Sequence, residues 1–213
     1  MDAAFWHEKW NSGEIGFHEN RPNPLLTNNI DALALSDSAR LFLPLCGKTL
    51  DIHWLLANGY RVSGIELHQQ AVDELFAELG LAPVISECGN MLQYSADNIV
   101  MFVGDIFELT PQLLGKVDAV YDRAALVALP PQMRIRYCKH LLQLTGNVPQ
   151  LLVTFEYDQS VIAGPPHSVP APEVLAHYSD NYRINLLQSR DVPGGMKGKT
   201  PSTENVWKLL PVQ

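Results

Sequence analysis

The chain has no glycine-rich phosphate loop. Its first strand-to-helix turn, inside LFLPLCGKTLDIHWL (residues 41–55), holds one glycine, Gly47, and a proline, Pro44, that removes a backbone donor. A dinucleotide needs a G-x-G-x-x-G turn so that successive N–H groups can approach a pyrophosphate, so a nicotinamide-dependent oxidoreductase is disfavoured. Long apolar runs are also missing: no stretch approaches the roughly 20 residues that span a bilayer. The N-terminal MDAAFWHEKW has no basic segment followed by an apolar one, so the expectation is a soluble, cytoplasmic protein without a membrane partner. Cysteine is scarce. Cys46, Cys88 and Cys138 are the three present, widely spaced and without a C-x-x-C, which suits a reducing compartment rather than a disulfide framework. The seven histidines show no i,i+4 pair and no cysteine at ligand spacing, so no metal site is predicted. His18 and His167 read as exposed loop histidines. Cys46 has no base beside it and reads as a packing residue, and no G-x-S-x-G is present. Positive charge is in deficit: the net charge of −8 repels phosphate backbones, so a small molecule is a better substrate than a nucleic acid.

What is present is an α/β pattern. With 213 residues, 46% of them hydrophobic and 18% charged, the chain can bury one large core and reads as a single domain over 1–213. After the strand LFLPL, residues 49–58 place Leu50, Trp54 and Leu55 on one helical face, and Asn58-Gly59 closes the helix. YRVSGIEL is a second strand. QQAVDELFAELG follows with Val72, Leu75, Phe76 and Leu79 at helical spacing and a closing Gly80. NIVMFVGDIF carries a third strand, Thr110-Pro111 opens a short helix, and VDAVYDR is a fourth strand. Pro131 opens a helix bearing Met133, Tyr137, Cys138, Leu141 and Leu142, and QLLVTFEYD is a fifth strand. This alternation builds a parallel sheet covered on both faces.

The last third differs. AGPPHSVPAP is too rich in proline for regular structure, so residues 160–172 are expected to form a stiff lid loop over one end of the sheet. YRINLLQSR and ENVWKLLPV are strand-like and separated by the turn-rich DVPGGMKGKTPST, which predicts an antiparallel pair. The sum is a Rossmann-like, seven-stranded, mostly parallel sheet with helices on both faces and a C-terminal antiparallel pair, the class I methyltransferase architecture. Residues 1–35 are expected to form a helical N-terminal lid. No surplus apolar face stands out, so a monomer is the default expectation.

Ligands of open α/β sheets sit beyond the carboxyl ends of the strands, where the winding reverses. The residues there are Leu45, Cys46, Gly47 and Lys48, then Glu66, then Asp105 and Ile106, then Asp122 and Arg123, then Glu156. Glu66 closes the second strand. A carboxylate there offers two acceptor oxygens to the cis-diol of an adenosine ribose, although a solvated glutamate at a strand end would look the same. S-adenosylmethionine keeps that diol and carries a methionine chain in place of phosphates. It requires the acid and one close backbone approach, here Gly47, without a full phosphate nest.

WHEKWNSGEIGFHENRPNPLL, LFLPLCGKTLDIHWLLANGYRVSGIEL, VGDIFEL, VDAVYDRAALVALPP, LLVTFEYD and GPPHSVP occur in this order, and with them nearly the whole chain resembles the thiopurine S-methyltransferases. The resemblance implies an S-adenosylmethionine-dependent enzyme that methylates the sulfur of aromatic and heterocyclic thiols. Selenium and tellurium compounds, or halide, are the alternative acceptors. Trp10, Leu45, Glu66 and Arg123 match cofactor-binding positions of the family, Ile106 falls where the family flanks the adenine, and Asp105 precedes it. Phe17 matches a residue that closes over the reacting end of the cofactor. Arg123 is open to two roles, toward the cofactor carboxylate or toward the substrate. No side chain is assigned as a catalytic acid, base or nucleophile, because a sulfonium methyl and a readily ionised thiol need alignment more than a base. The residues alone also allow structural readings: Trp10 and Phe17 as staples of an N-terminal helix, and Arg123 as an ion-pair partner of Asp122 or Glu156.

Overall fold

The computed structural model describes residues 3–13 and 18–212. The N-terminal part holds α1 (Ala3–Asn11), α2 (Pro24–Thr27) and a 3-10 turn at Ile30–Leu33. There follow β1 (Arg40–Pro44), α3 (Leu50–Ala57), β2 (Arg61–Glu66), α4 (Gln69–Leu79), β3 (Val84–Cys88), β4 (Met91–Ala96) and β5 (Ile99–Val103). The rest is α5 (Pro111–Leu114), β6 (Ala119–Arg123), α6 (Pro131–Thr145), β7 (Gln150–Tyr157), α7 (Ala171–Tyr178), β8 (Tyr182–Asp191) and β9 (Ser202–Pro211). Among the described residues no helix is long and apolar enough to cross a membrane.

All nine strands form one sheet in the order β3-β4-β5-β2-β1-β6-β7-β9-β8. β5, β2, β1, β6 and β7 pair in parallel, and β8 and β9 add the expected antiparallel edge. The class I methyltransferase sheet is therefore present, but with nine strands instead of seven. The extra two form the hairpin β3–β4, which pairs antiparallel onto β5 and turns through Gly89-Asn90 between the paired Cys88 and Met91. β3 is an edge strand exposed along most of its length, with Val84 72% and Ile85 53% exposed. No covered face imposes an apolar alternation on such a strand, so periodicity misses it. The Gly-Asn pair at a two-residue turn was the available signal.

Local chemistry explains the helix boundaries. The Thr49 hydroxyl accepts from the Asp51 N–H to start α3, and Thr110 accepts from Leu113 to start α5. Gly80 ends α4 at φ 68°, in the left-handed region. Ala171 and Pro172 form the first turn of α7, so the proline-rich loop stops at Pro170; a proline at the start of a helix loses no hydrogen bond.

Each sheet face packs its own core. Alternation along β1 sends Leu41 and Leu43 to a cluster with α3 and α4 (Ile52, Leu55, Val72, Leu75), and sends Phe42 to the opposite cluster with α6 (Tyr137, Leu141). Each such buried side chain contributes about 1.5–3 kcal/mol, so the central strands hold the register on which the site is built.

Candidate active site

The winding reverses between β1 and β6, because β2 and β5 extend the sheet on one side of β1 and β6 and β7 on the other. The residues that leave these two strands are bent sharply: Leu45 has φ 45° and Ala124 φ 69°. Left-handed backbone at a leucine and an alanine is strained and clusters at functional sites. Above these turns lies a cavity of about 730 Å³, within the range of small-molecule sites, roughly 300–1,000 Å³. Leu45, Glu66, Arg123 and Ala124 form its floor.

Glu66 is 6% exposed. Its Oε2 accepts from the Gly47 N–H at 2.8 Å, and Oε1 accepts from the N–H groups of Leu67 at 2.8 Å and His68 at 3.0 Å. Burial pushes the carboxyl above the usual carboxylate range, against the pull of those three donors. A carboxylate has about four acceptor sites, so capacity remains toward the cavity. Gly47 thus orients Glu66 and is absent from the cavity wall, where the sequence placed a close backbone approach to ligand. The turn spends its donors internally: Cys46 N–H binds Ile65 O and Thr49 N–H binds Cys46 O. Such a turn offers no phosphate nest, whereas the buried acid fits an adenosyl diol, so the donor set matches a methyl donor. Burial, with Glu66 nearby, holds the Cys46 thiol far above its ordinary value, in keeping with a packing role.

Arg123 is the other charged floor residue. Its Nη2 lies 2.8 Å from Glu19 Oε1, so among the described residues it pairs with the N-terminal segment and not with Asp122 or Glu156. Asp122 points into the core, where it accepts from Tyr137 OH at 2.6 Å and Leu126 N–H at 3.1 Å; burial raises it to about 6. Glu156 is exposed. Burial works against the Arg123 charge, and Tyr121, Glu19 and Asp51 outweigh it, so the guanidinium is held above its ordinary value.

The cavity is roofed by three segments: α1 with Phe5, Trp6, Lys9 and Trp10, the proline loop with Gly164, Pro165 and Pro166, and the β8–β9 loop with Val192, Gly195, Met196 and Lys197. Trp10 stacks on the His68 imidazole, with ring centroids 5.7 Å apart and planes 6° from parallel, and His7 Nδ1 meets His68 Nδ1 at 3.0 Å. The staple reading of Trp10 and its place in the cavity wall therefore both hold. Phe17 lies outside the described residues. Ile106 is fully buried in the core beyond β5, and its carbonyl meets His140 Nε2 at 2.8 Å. Asp105 is exposed and caps the next turn through the Phe107 N–H at 3.0 Å. Neither lines the cavity, although β5 pairs with β2 and Gly104 N–H binds Glu66 O at 2.9 Å. His18 and His167 are half-buried; His18 lines a small neighbouring hollow, and His167 is held by its N–H on Val127 O at 2.6 Å.

Several residues escaped the sequence reading. Phe155, Val127 and Ala128 build the apolar wall beyond Arg123, and Met196 and Lys197 close it from a segment that shows only turn residues. Glu19 and His68 sit in polar stretches where nothing marks them. His68 stands two residues after Glu66, at the N-cap of α4, which was the one available cue.

Fold and site together define an S-adenosylmethionine-dependent methyltransferase. The sequence matches the family model for thiopurine S-methyltransferase (TPMT) over residues 1–209. A thiopurine S-methyltransferase of Gluconobacter oxydans (strain 621H) is 51% identical over 211 residues, 99% of this chain and 96% of that protein. Another, of Xanthobacter autotrophicus (strain ATCC BAA-1158 / Py2), is 51% identical over 210 residues, 98% of this chain and 99% of that protein. The chain belongs to the thiopurine S-methyltransferase family. Its fold is similar to that of the 1,6-didemethyltoxoflavin-N1-methyltransferase of Burkholderia thailandensis, solved with 1,6-didemethyltoxoflavin and S-adenosylhomocysteine bound (TM-score 0.66, 15% identity, 98% of this chain and 87% of that one).

Proposed function

We propose that this enzyme methylates the sulfur of aromatic and heterocyclic thiols, thiopurines among them, by direct in-line transfer. The observation that carries the reading is the composition of the cavity. Its β2 side holds Glu66, and its β6–β7 side is a wall of Val127, Ala128, Phe155, Pro165, Pro166 and Met196 suited to a flat, apolar ring. S-adenosylmethionine supplies an activated methyl group on a positively charged sulfur. In this reading Glu66 holds the ribose hydroxyls, Leu45 packs against the adenosyl part, and Trp10 offers an aromatic face to the sulfonium. Asp105 and Ile106 stand at the β5 end outside the cavity wall and would meet the adenine only where it extends past Glu66, and Arg123 binds an anionic group of cofactor or acceptor. The family position that Phe17 matches is assigned to the reacting end of the cofactor. α1 and the proline loop exclude water, and alignment of two reactive groups takes the place of a general base.

The test is transfer of labelled methyl from S-adenosylmethionine to 6-mercaptopurine, run beside thiophenol and selenite. Labelled methylthiopurine is the expected product. Cofactor binding with transfer only to selenite, or to none of the three, would overturn the thiol reading.

A further inference from the structure

We propose that Glu19 sets the charge preference of the acceptor half of the cavity, by pairing with Arg123 so that neutral aromatic thiols are favoured over those carrying a further negative group. The inference rests on the thiol-acceptor reading above.

Among the described residues, Lys9, Arg123 and Lys197 are the basic residues of the cavity, and Glu19 and Glu66 the acidic ones. Glu66 belongs to the β2 end and is occupied by three backbone donors. Lys197 Nζ donates to Pro165 O at 2.9 Å, on the roof, and Lys9 Nζ lies 5.5 Å from the centre of the Phe5 ring. Arg123 is the floor cation. It ends β6 and leads into Ala124, Val127 and Ala128 of the apolar wall, the part of the cavity across the switch point from Glu66. An acceptor lying on that wall meets the Arg123 charge and its counter-charge together.

Glu19 is built in. Its Oε1 also accepts from Asn23 Nδ2 at 3.4 Å, and Asn23 is fully buried. The Asn23 N–H in turn binds Asp51 Oδ1 at 2.6 Å, and Tyr121 OH donates to Asp51 Oδ2 at 3.0 Å. Asp51 opens α3 directly behind the Leu45 turn, and Tyr121 stands two residues before Arg123. This chain anchors Asn23 behind the strand ends, and its side chain helps hold the Glu19 carboxylate at the guanidinium. The arginine side chain is 12% exposed and the glutamate 37%, and both line the cavity. In that setting the carboxylate cancels much of the field that would otherwise attract an anionic substituent.

The experiment compares 4-mercaptobenzoate with 4-mercaptobenzamide, which differ in charge at nearly constant shape. kcat/KM is measured for both with S-adenosylmethionine, for the wild type, for E19Q and E19A, which delete the charge, and for E19D, which keeps it. Differences in thiol reactivity cancel when the benzoate-to-benzamide ratio of each variant is divided by that of the wild type. Deletion of a unit charge this close in a partly wet cavity is expected to raise the ratio roughly tenfold in E19Q and E19A. E19D is expected to stay near the wild-type ratio, and the KM for S-adenosylmethionine to stay within about twofold. An unchanged ratio in the charge-deleting variants would overturn the proposal. A change confined to the KM for S-adenosylmethionine would also overturn it, by assigning Glu19 to the cofactor half. Wild-type transfer to neither compound would overturn the acceptor reading itself and this inference with it.

Discussion

The floor and the roof of the cavity are built in opposite ways. On the floor, Leu45, Glu66, Arg123 and Ala124 leave the ends of central strands whose own residues are buried on both faces. Glu66 alone is held by three backbone donors. Among the described residues, side-chain contacts help tie the roof down. α1 docks through Trp10 and His7 on His68. The proline loop is tied by two carbonyls, with Tyr157 OH donating to Pro166 O at 2.6 Å and Lys197 Nζ to Pro165 O at 2.9 Å, and by the N–H groups of His167 on Val127 O and Val169 on Phe155 O. Such contacts break at far lower cost than a central strand. In the proposed reading the floor is preorganised to position ligand, while the roof opens for exchange and closes to exclude water.

Four measurements would break or sharpen this contrast. The largest effect belongs to the floor. Glu66→Ala removes the expected diol contact and strands three backbone donors, so S-adenosylhomocysteine should bind at least 100-fold more weakly by calorimetry. Unfolding stability should fall by about 2–4 kcal/mol. Unchanged affinity would move the adenosyl group away from Glu66. Next is Asp122, beside Arg123 at the end of β6. Its carboxyl is raised to about 6 in the fold, above its unfolded value near 3.8, so its contribution is complete below about 4 and is lost as pH rises through 6. The loss amounts to at most about 3 kcal/mol. Asp122→Asn should flatten the decline in melting temperature between pH 4 and pH 7, and an unaltered profile would show that Asp122 is not its source.

The roof variants should separate function from stability. Trp10→Ala is expected to raise the KM for S-adenosylmethionine about tenfold, with α1 amides exchanging faster and the melting temperature moving by less than about 2 °C. A large loss of melting temperature would mean that α1 is part of the cooperative core. The smallest effect is expected from Lys197→Met, an exposed change worth less than about 0.5 kcal/mol in stability that should raise acceptor KM about threefold by freeing Pro165. No change in KM would leave the link between the two loops without a role.

Much of the fold was legible in the chain, because a buried parallel strand must be apolar along its whole length and a helix must repeat its apolar face. Leu41–Leu43, Val72–Phe76 and Tyr137–Leu141 announce themselves in this way. β3 does not, since an exposed edge strand answers to neither rule. In the site, Leu45, Glu66 and Arg123 were found because strand ends can be counted, and Trp10 because its motif carries it. Ile106 and Asp105 were assigned to the adenine by resemblance, but the structure puts one in the core and the other on a turn, leaving their contact with ligand to be measured.

The sequence by itself determined the alternation of strands and helices, the lack of a phosphate nest, the acid at the end of β2 and the family. These are local or periodic properties, set by neighbouring side chains and backbone chemistry. Only the tertiary structure decided that Glu19 meets Arg123, that His68 carries Trp10, and that Met196 and Lys197 complete the cavity. Those pairings join residues far apart in the chain, and they form only once the sheet has brought their segments to one end of its strands.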